Sequence, residues 1–162
     1  MAFQTFMKIE GISGESVDSA HKGWIEVLSM NWELTNVKDL GRSDTAGRTH
    51  FSDFTVSKAV DLSSPLLLQH ASGRKKIPQI KIDVCRAGGS DKLKYLEYTF
   101  TNCVITRVQL NAGMSLEAGE TLPFEEVAFN YEKFEVTYTQ QKRPDGMGGG
   151  VTQASFDLRA KG

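Results

Sequence analysis

Apolar and polar residues alternate at every second position through most of the chain, and this restricts its fold more than any other feature. Leu96, Tyr98 and Phe100 share one face with Lys94, while Glu97, Thr99 and Thr101 take the other. Val104, Thr106, Val108 and Leu110 then alternate with Cys103, Ile105, Arg107 and Gln109, and Ile80, Ile82 and Val84 with Lys81, Asp83 and Cys85. A period of two is that of a strand with one face on a core, so these segments are expected to be strands.

The stretch 126–140 adds a constraint. Val127, Phe129 and Tyr131 hold odd positions, whereas Phe134, Val136 and Tyr138 hold even ones. A strand cannot exchange its buried face without an extra residue, so a β-bulge or sharp bend is expected near Glu132 and Lys133. Such a bend suits a strongly curved sheet. Residues 24–32 are apolar on both sides: Trp24, Leu28, Met30 and Trp32 on one, Ile25 and Val27 on the other. Cover from a packed helix or a neighbouring subunit is the expected reason. One helix is signalled, with Ser64 as its cap, Pro65 in the first turn, Leu66 to His70 continuing it, and Gly73 ending it.

Together these signals predict an all-β fold. It is expected to be a single domain over 1–162, a β-barrel of about eight or nine strands with one short flanking α-helix. Two loops stand out: 36–50, long, polar and charged, and 143–150, rich in glycine. A loop as long as the first is uncommon in a compact domain and usually functional or disordered.

Chemistry is harder to find. Nineteen basic residues against twenty acidic ones leave a net charge of −1, giving no general attraction to nucleic acid or anionic lipid. The amino terminus lacks the basic and apolar regions of a signal peptide, and the longest apolar run, Leu66 to Leu68, is far short of a membrane span. Cys85 and Cys103 read as buried thiols, with neither a disulfide framework nor paired zinc spacings. His21, His50 and His70 are widely spaced and read as surface residues in loops and at a helix end.

Ser13 lies in Gly11-Ile12-Ser13-Gly14, with its second glycine one position early for a nucleophile elbow. Glu117, Glu120, Glu125 and Glu126 form an acidic cluster that reads as solvated loop. The Gly146–Gly150 run precedes a strand-like segment, whereas a phosphate cradle opens a helix. Arg74, Lys75 and Lys76 follow the helix as a cationic cap. No catalytic, metal or cofactor site is expected, and no enzymatic activity.

Several segments carry a family resemblance. Phe6-Met7-Lys8-Ile9-Glu10-Gly11-Ile12-Ser13-Gly14-Glu15-Ser16, then His21-Lys22 and Ile25-Glu26-Val27-Leu28-Ser29, resemble the amino terminus of Hcp, the haemolysin-coregulated protein of bacterial type VI secretion. Phe54-Thr55-Val56-Ser57-Lys58 and Asp61-Leu62-Ser63-Ser64-Pro65-Leu66 are similar to its third strand and helix start. Arg86-Ala87-Gly88-Gly89 resembles its hairpin, and Val127-Ala128-Phe129 and Val136-Thr137-Tyr138 its late strands. Where some members read Trp-Ser-Trp, this chain has Met30-Asn31-Trp32.

The resemblance implies a structural tube subunit. Homohexameric rings would stack head to tail within a contractile sheath, under a spike of the valine–glycine repeat family, and hold small secreted effectors in the lumen. Assembly in the cytoplasm would precede export without a signal peptide, and nucleic acid and membrane insertion have no part. It places Asn31 at the lumen and makes 36–50 the stacking loop, with Asp39, Arg42, Asp44 and Arg48 as contact candidates. Ring closure is expected to use Trp24, Ile25 and Val27, which would explain their two-sided apolar pattern. No toxin domain is expected beyond residue 162. The alternative is a monomeric β-barrel carrying a small apolar ligand.

Overall fold

A computed structural model describes residues 3–37, 48–86, 93–112, 123–141 and 149–160. Among them are eleven strands and one helix. In chain order these are β1 (Phe3–Ile9), β2 (Ile25–Val27), β3 (Ser29–Asn31), β4 (Leu34–Val37), β5 (Arg48–Phe51), β6 (Phe54–Ala59), α1 (Ser64–Ser72), β7 (Ile77–Arg86), β8 (Leu93–Asn111), β9 (Phe124–Asn130), β10 (Lys133–Thr139) and β11 (Val151–Asp157). Nine strands form one antiparallel sheet in the order β2-β1-β7-β8-β9-β6-β3, with β10 on β8 and β11 on β10. The remaining two, β4 and β5, make a separate hairpin.

The ends of that path, β2 and β3, are consecutive pieces of chain separated by Leu28 alone. No ladder joins them. The sheet therefore wraps around its core, and its seam is bridged by the backbone, with the Leu28 N–H donating to the Ser57 carbonyl at 2.7 Å. The all-β barrel-like reading holds, with this seam in place of a closing ladder.

Strand β8 is the spine. Its first half pairs with β7 and β10, its second with β9. Residues Ile9, Ile80, Phe100, Phe134 and Phe156 line up across five strands, and Met30, Val56, Val127 and Val108 across four. To serve both halves β8 must bend. Asn102 adopts φ 52°, the left-handed region that asparagine tolerates better than most residues, and the register slips again between Ile105 and Arg107. Cys103 and Ile105 are therefore buried while Thr106 is exposed, the reverse of uninterrupted alternation. The break expected near Glu132 lies opposite: β9 ends at Asn130, β10 begins at Lys133, and the Asn102 side chain donates to Glu132 at 2.8 Å.

The 24–32 segment corrects the sequence reading. Ile25 and Val27 point inward before Leu28, and Met30 and Trp32 after it, because the chain passes from one half of the sheet to the other. The buried face changes parity at Leu28, while Trp24 and Leu28 themselves stay on the outside. The helix also differs in detail: Ser63, not Ser64, occupies the N-cap and makes no side-chain cap hydrogen bond. The Ser64 hydroxyl instead donates to Glu125 at 2.6 Å.

Residues 10–24 are closed on themselves by Gly14 N–H to Gly23 O at 2.8 Å and Ser16 N–H to Trp24 O at 3.0 Å, and His21 joins them to the outer face of β1 and β7 by stacking on Phe6 and meeting Asp83 at 2.9 Å. A Cβ on Gly14 would sit 2.5 Å from the Trp24 carbonyl oxygen and 2.7 Å from the Ile25 Cα, both backbone atoms that cannot step aside. Gly14→Ala is expected to lower stability by about 1–3 kcal/mol, the cost of overpacking. An unchanged urea midpoint would contradict the close approach.

Candidate functional site

Here the candidate site is a set of surfaces rather than a cleft. On the outer face of the barrel half formed by β3, β6, β9 and β8, pairing places Asn31 beside Thr55, then Ala128 and Arg107. The next row runs Ser29, Ser57, Glu126, Gln109. Arg107 and Glu126 form an ion pair. A shallow hollow of about 390 Å³ opens among Ser29, Met30, Asn31, Thr55, Ser57, Arg107 and Glu126. Asp53 extends the polar face by accepting from Thr106 Oγ1 at 2.7 Å and from Asn130 at 3.4 Å. Exposed Asn31 thus lies in a mainly polar wall, in which Met30 is the large apolar side chain among the described lining residues.

The ring-contact candidates divide. Ile25 is fully buried in the subunit's own core and Val27 is 8% exposed, so neither has surface to offer a neighbour. Trp24 is half-buried on the outside, with the Lys8 ammonium 5.9 Å from its ring centroid. Among the described residues, exposed apolar side chains lie at many other places, including Val17, Leu28 (65% exposed), Leu110, Leu62, Leu66 and Leu68 on α1 and the preceding turn, and Val151 and Phe156 of β11. Every residue of β11 is exposed, its one ladder among the described strands is to β10, and it carries no charge before Asp157. Natural edge strands usually bear charges or proline that discourage pairing. The absence of any charged residue between Val151 and Phe156 was the available sequence signal for this edge.

The charged loop also divides. Residues 48–51 are the strand β5, with Arg48 opposite Val37 and Thr49 donating to the Asn36 side chain at 2.8 Å. Arg48 therefore belongs to a hairpin stem. Asp39, Arg42 and Asp44 lie outside the described residues, as do Ala87 to Gly89, Glu117, Glu120 and the Gly146–Gly148 part of the glycine run.

Several of the polar residues have structural partners. Glu125, read as solvated, is 2% exposed and pairs with the fully buried Lys58 directly opposite it in the β6–β9 ladder. Lys58 also reaches Asp61 at 3.0 Å and the Ala59 carbonyl at 2.9 Å. His21 and His70 are buried rather than superficial, and the His70 Nδ1 meets the Leu66 carbonyl at 2.8 Å. Both cysteines are buried, and burial pushes the Cys103 thiol up to about 12, which makes it a poor nucleophile. Burial works against the charged form of Lys94, yet its contacts with Glu97 and Asp83 prevail and raise its pKa. Among the described residues no group of His, Cys, Asp or Glu is placed to hold a metal, and no helix is long and apolar enough to cross a membrane.

The family model for the type VI secretion system effector Hcp matches residues 6–138. This chain belongs to the Hcp family. It is 29% identical to the protein hcp1 of Pseudomonas aeruginosa over 161 residues, 98% of this chain and 97% of that one. A type VI secretion system effector from Yersinia pestis is 35% identical, with a TM-score of 0.75 over 94% of this chain and 98% of its own. Hcp1 from Salmonella typhimurium is 29% identical, with a TM-score of 0.78 over 99% and 97%. Hcp proteins are secreted type VI effector and tube proteins, a structural role to which the paired, buried polar groups of this Hcp are suited. The resemblance at Phe6-Met7-Lys8-Ile9 and in the late strands is thus the resemblance of a true member.

Proposed function

We propose that this Hcp protein closes into hexameric rings that stack head to tail into the inner tube of a type VI secretion system. In this reading the tube is expelled with a valine–glycine repeat spike by a contractile sheath, and small effectors travel in its lumen. Membership of the family along nearly the whole chain carries the proposal. The surfaces support it: a polar face around Asn31 gives a wall to which cargo does not adhere strongly, while the open β11 edge and the exposed leucines offer surface to identical neighbours. A head-to-tail contact joins two different patches of one subunit, and a ring results when its rotation closes. Asp39, Arg42, Asp44 and Arg48 are the proposed stacking contacts, their charges setting register more than affinity. The monomeric-carrier alternative has little room, because Trp32, Phe54, Phe100, Tyr131 and Phe134 fill the interior against one another.

Native mass spectrometry tests the ring. The expected species has six times the 17.9 kDa subunit mass. A single monomeric species at micromolar concentration would overturn the reading.

A further inference from the structure

The geometry points to a docking site for an acidic segment of a partner protein, built by Lys8, Trp24 and Lys81 on the outer face of β1 and β7. A hollow of about 500 Å³ opens there, with Lys8, Glu10, Trp24, Gln79 and Lys81 among its walls. Lys8 and Lys81 stand directly opposite each other in the β1–β7 ladder. Side chains so placed start about 5 Å apart, and like charges in that position repel. Neither ammonium forms an ion pair among the described residues; Lys8 instead lies 5.9 Å from the Trp24 ring centroid. The pair is a liability in the bare subunit. A carboxylate between the two ammoniums would turn it into two charge-assisted hydrogen bonds.

The remaining charges of the hollow are largely spoken for. Lys94 pairs with Glu97 and reaches Asp83 at 3.6 Å, and Asp83 meets His21 at 2.9 Å. Glu10, exposed just past the end of β1, is the hollow's one carboxylate outside any ion pair among the described residues. Two unpaired cations against one unpaired anion leave a local positive excess, in a chain whose net charge is −1. Trp24 decides what kind of anion fits. A free ion would use the lysines alone and leave the half-buried indole idle, whereas a peptide brings a carboxylate and an apolar side chain together. Tryptophan in a pocket is among the side chains that carry the most binding energy between proteins.

The fold also fixes which way the site looks. Met7 and Ile82, on the inward faces of β1 and β7, share one core with Val56 and Phe129 of β6 and β9. The outer face of β1 and β7 therefore points away from the polar wall around Asn31. On the tube reading above, on which this step rests, the site faces whatever surrounds the tube and not the cargo inside it.

Fluorotryptophan labelling gives the assembled protein two fluorine signals, from Trp24 at the hollow and Trp32 in the aromatic cluster. An acetylated, amidated Glu-Glu-Leu-Glu-Glu peptide should move the Trp24 signal saturably, with a Kd of about 1 mM, and leave Trp32 in place. Lys-Lys-Leu-Lys-Lys and inorganic phosphate should move neither. Lys8→Gln combined with Lys81→Gln should weaken the acidic peptide about tenfold, and Glu10→Gln, which removes a competing carboxylate, should tighten it about threefold. In secreting cells, a benzophenone side chain in place of Ala20, at the rim of the hollow, should cross-link to a different protein at an acidic peptide. The site is refuted if the acidic peptide leaves Trp24 unmoved, if phosphate moves it equally, if the two glutamines leave the affinity unchanged, or if the cross-linker captures another copy of this chain or nothing. Native mass spectrometry of the same samples reports the rings separately. Lost peptide binding in intact rings therefore condemns the site alone, and absent rings condemn the tube reading.

Discussion

Replacing Lys58 with methionine is expected to destabilise the subunit by about 3–5 kcal/mol, the range for removing one partner of a buried ion pair. Lys58 has no exposed surface and its ammonium holds Glu125, Asp61 and the Ala59 carbonyl together. Methionine matches the stem in size, so packing changes little. The damage comes from Glu125, left charged and buried beside Ser64 as its remaining donor. The double variant Lys58→Met with Glu125→Leu should recover much of the loss, since a buried pair exchanged for apolar residues is often close to neutral. Urea unfolding of the three variants checks this. A loss below about 1 kcal/mol for the single change would mean that the network does not hold the helix start to the β6–β9 ladder.

Trp32→Ala should cost a similar amount, about 3–5 kcal/mol, through loss of packing rather than of charge. The indole lies between 5.0 and 6.1 Å, centroid to centroid, from Phe54, Tyr98, Phe100, Tyr131 and Phe134. Its Nε1 donates to the Tyr131 hydroxyl at 2.6 Å, and that hydroxyl donates to the Ser52 carbonyl at 2.9 Å. Trp32→Phe keeps an aromatic ring and loses that donor, so it should cost about 1 kcal/mol more than a pure area change. A thermal midpoint for Trp32→Ala equal to the wild type would mean that the aromatic cluster closes over the gap, contrary to its close packing.

Much of this was legible in the sequence because burial on one face imposes a period of two, and the parity change between Tyr131 and Phe134 marks a bend. The same logic applied to 24–32 and was misread there. Two half-strands joined at Leu28 produce the pattern of a strand apolar on both sides, and only pairing partners distinguish the two. Lys58 and Glu125 were equally opaque. A buried salt bridge joins residues distant in sequence, so each looks like an ordinary surface charge until the β6–β9 register sets them opposite each other. The burial of His21 was hidden too, because its partners are Asp18, three residues away, and Asp83, on a strand far along the chain. The surfaces proposed for assembly divide in the same way. Asn31 came from family resemblance, whereas the β11 edge emerges from the pairing, where β10 is its one neighbour among the described strands.

The position of β9 has a consequence for how the molecule is made. It is inserted between β6 and β8, so β6 has β3 on one side but lacks its second partner until the chain has been synthesised past residue 130. Through that interval Lys58 has Asp61 beside it but not Glu125, and the early and middle strands can form the β2-β1-β7-β8 portion and the β3–β6 ladder but not the join between them through β9. Contacts that join distant parts of a sequence slow folding, because the intervening loop must be closed before they give any return. Completion of the subunit is thus timed to a late arrival, and until then a nascent chain keeps its greasy interior partly open to water, where a chaperone has the most to hold.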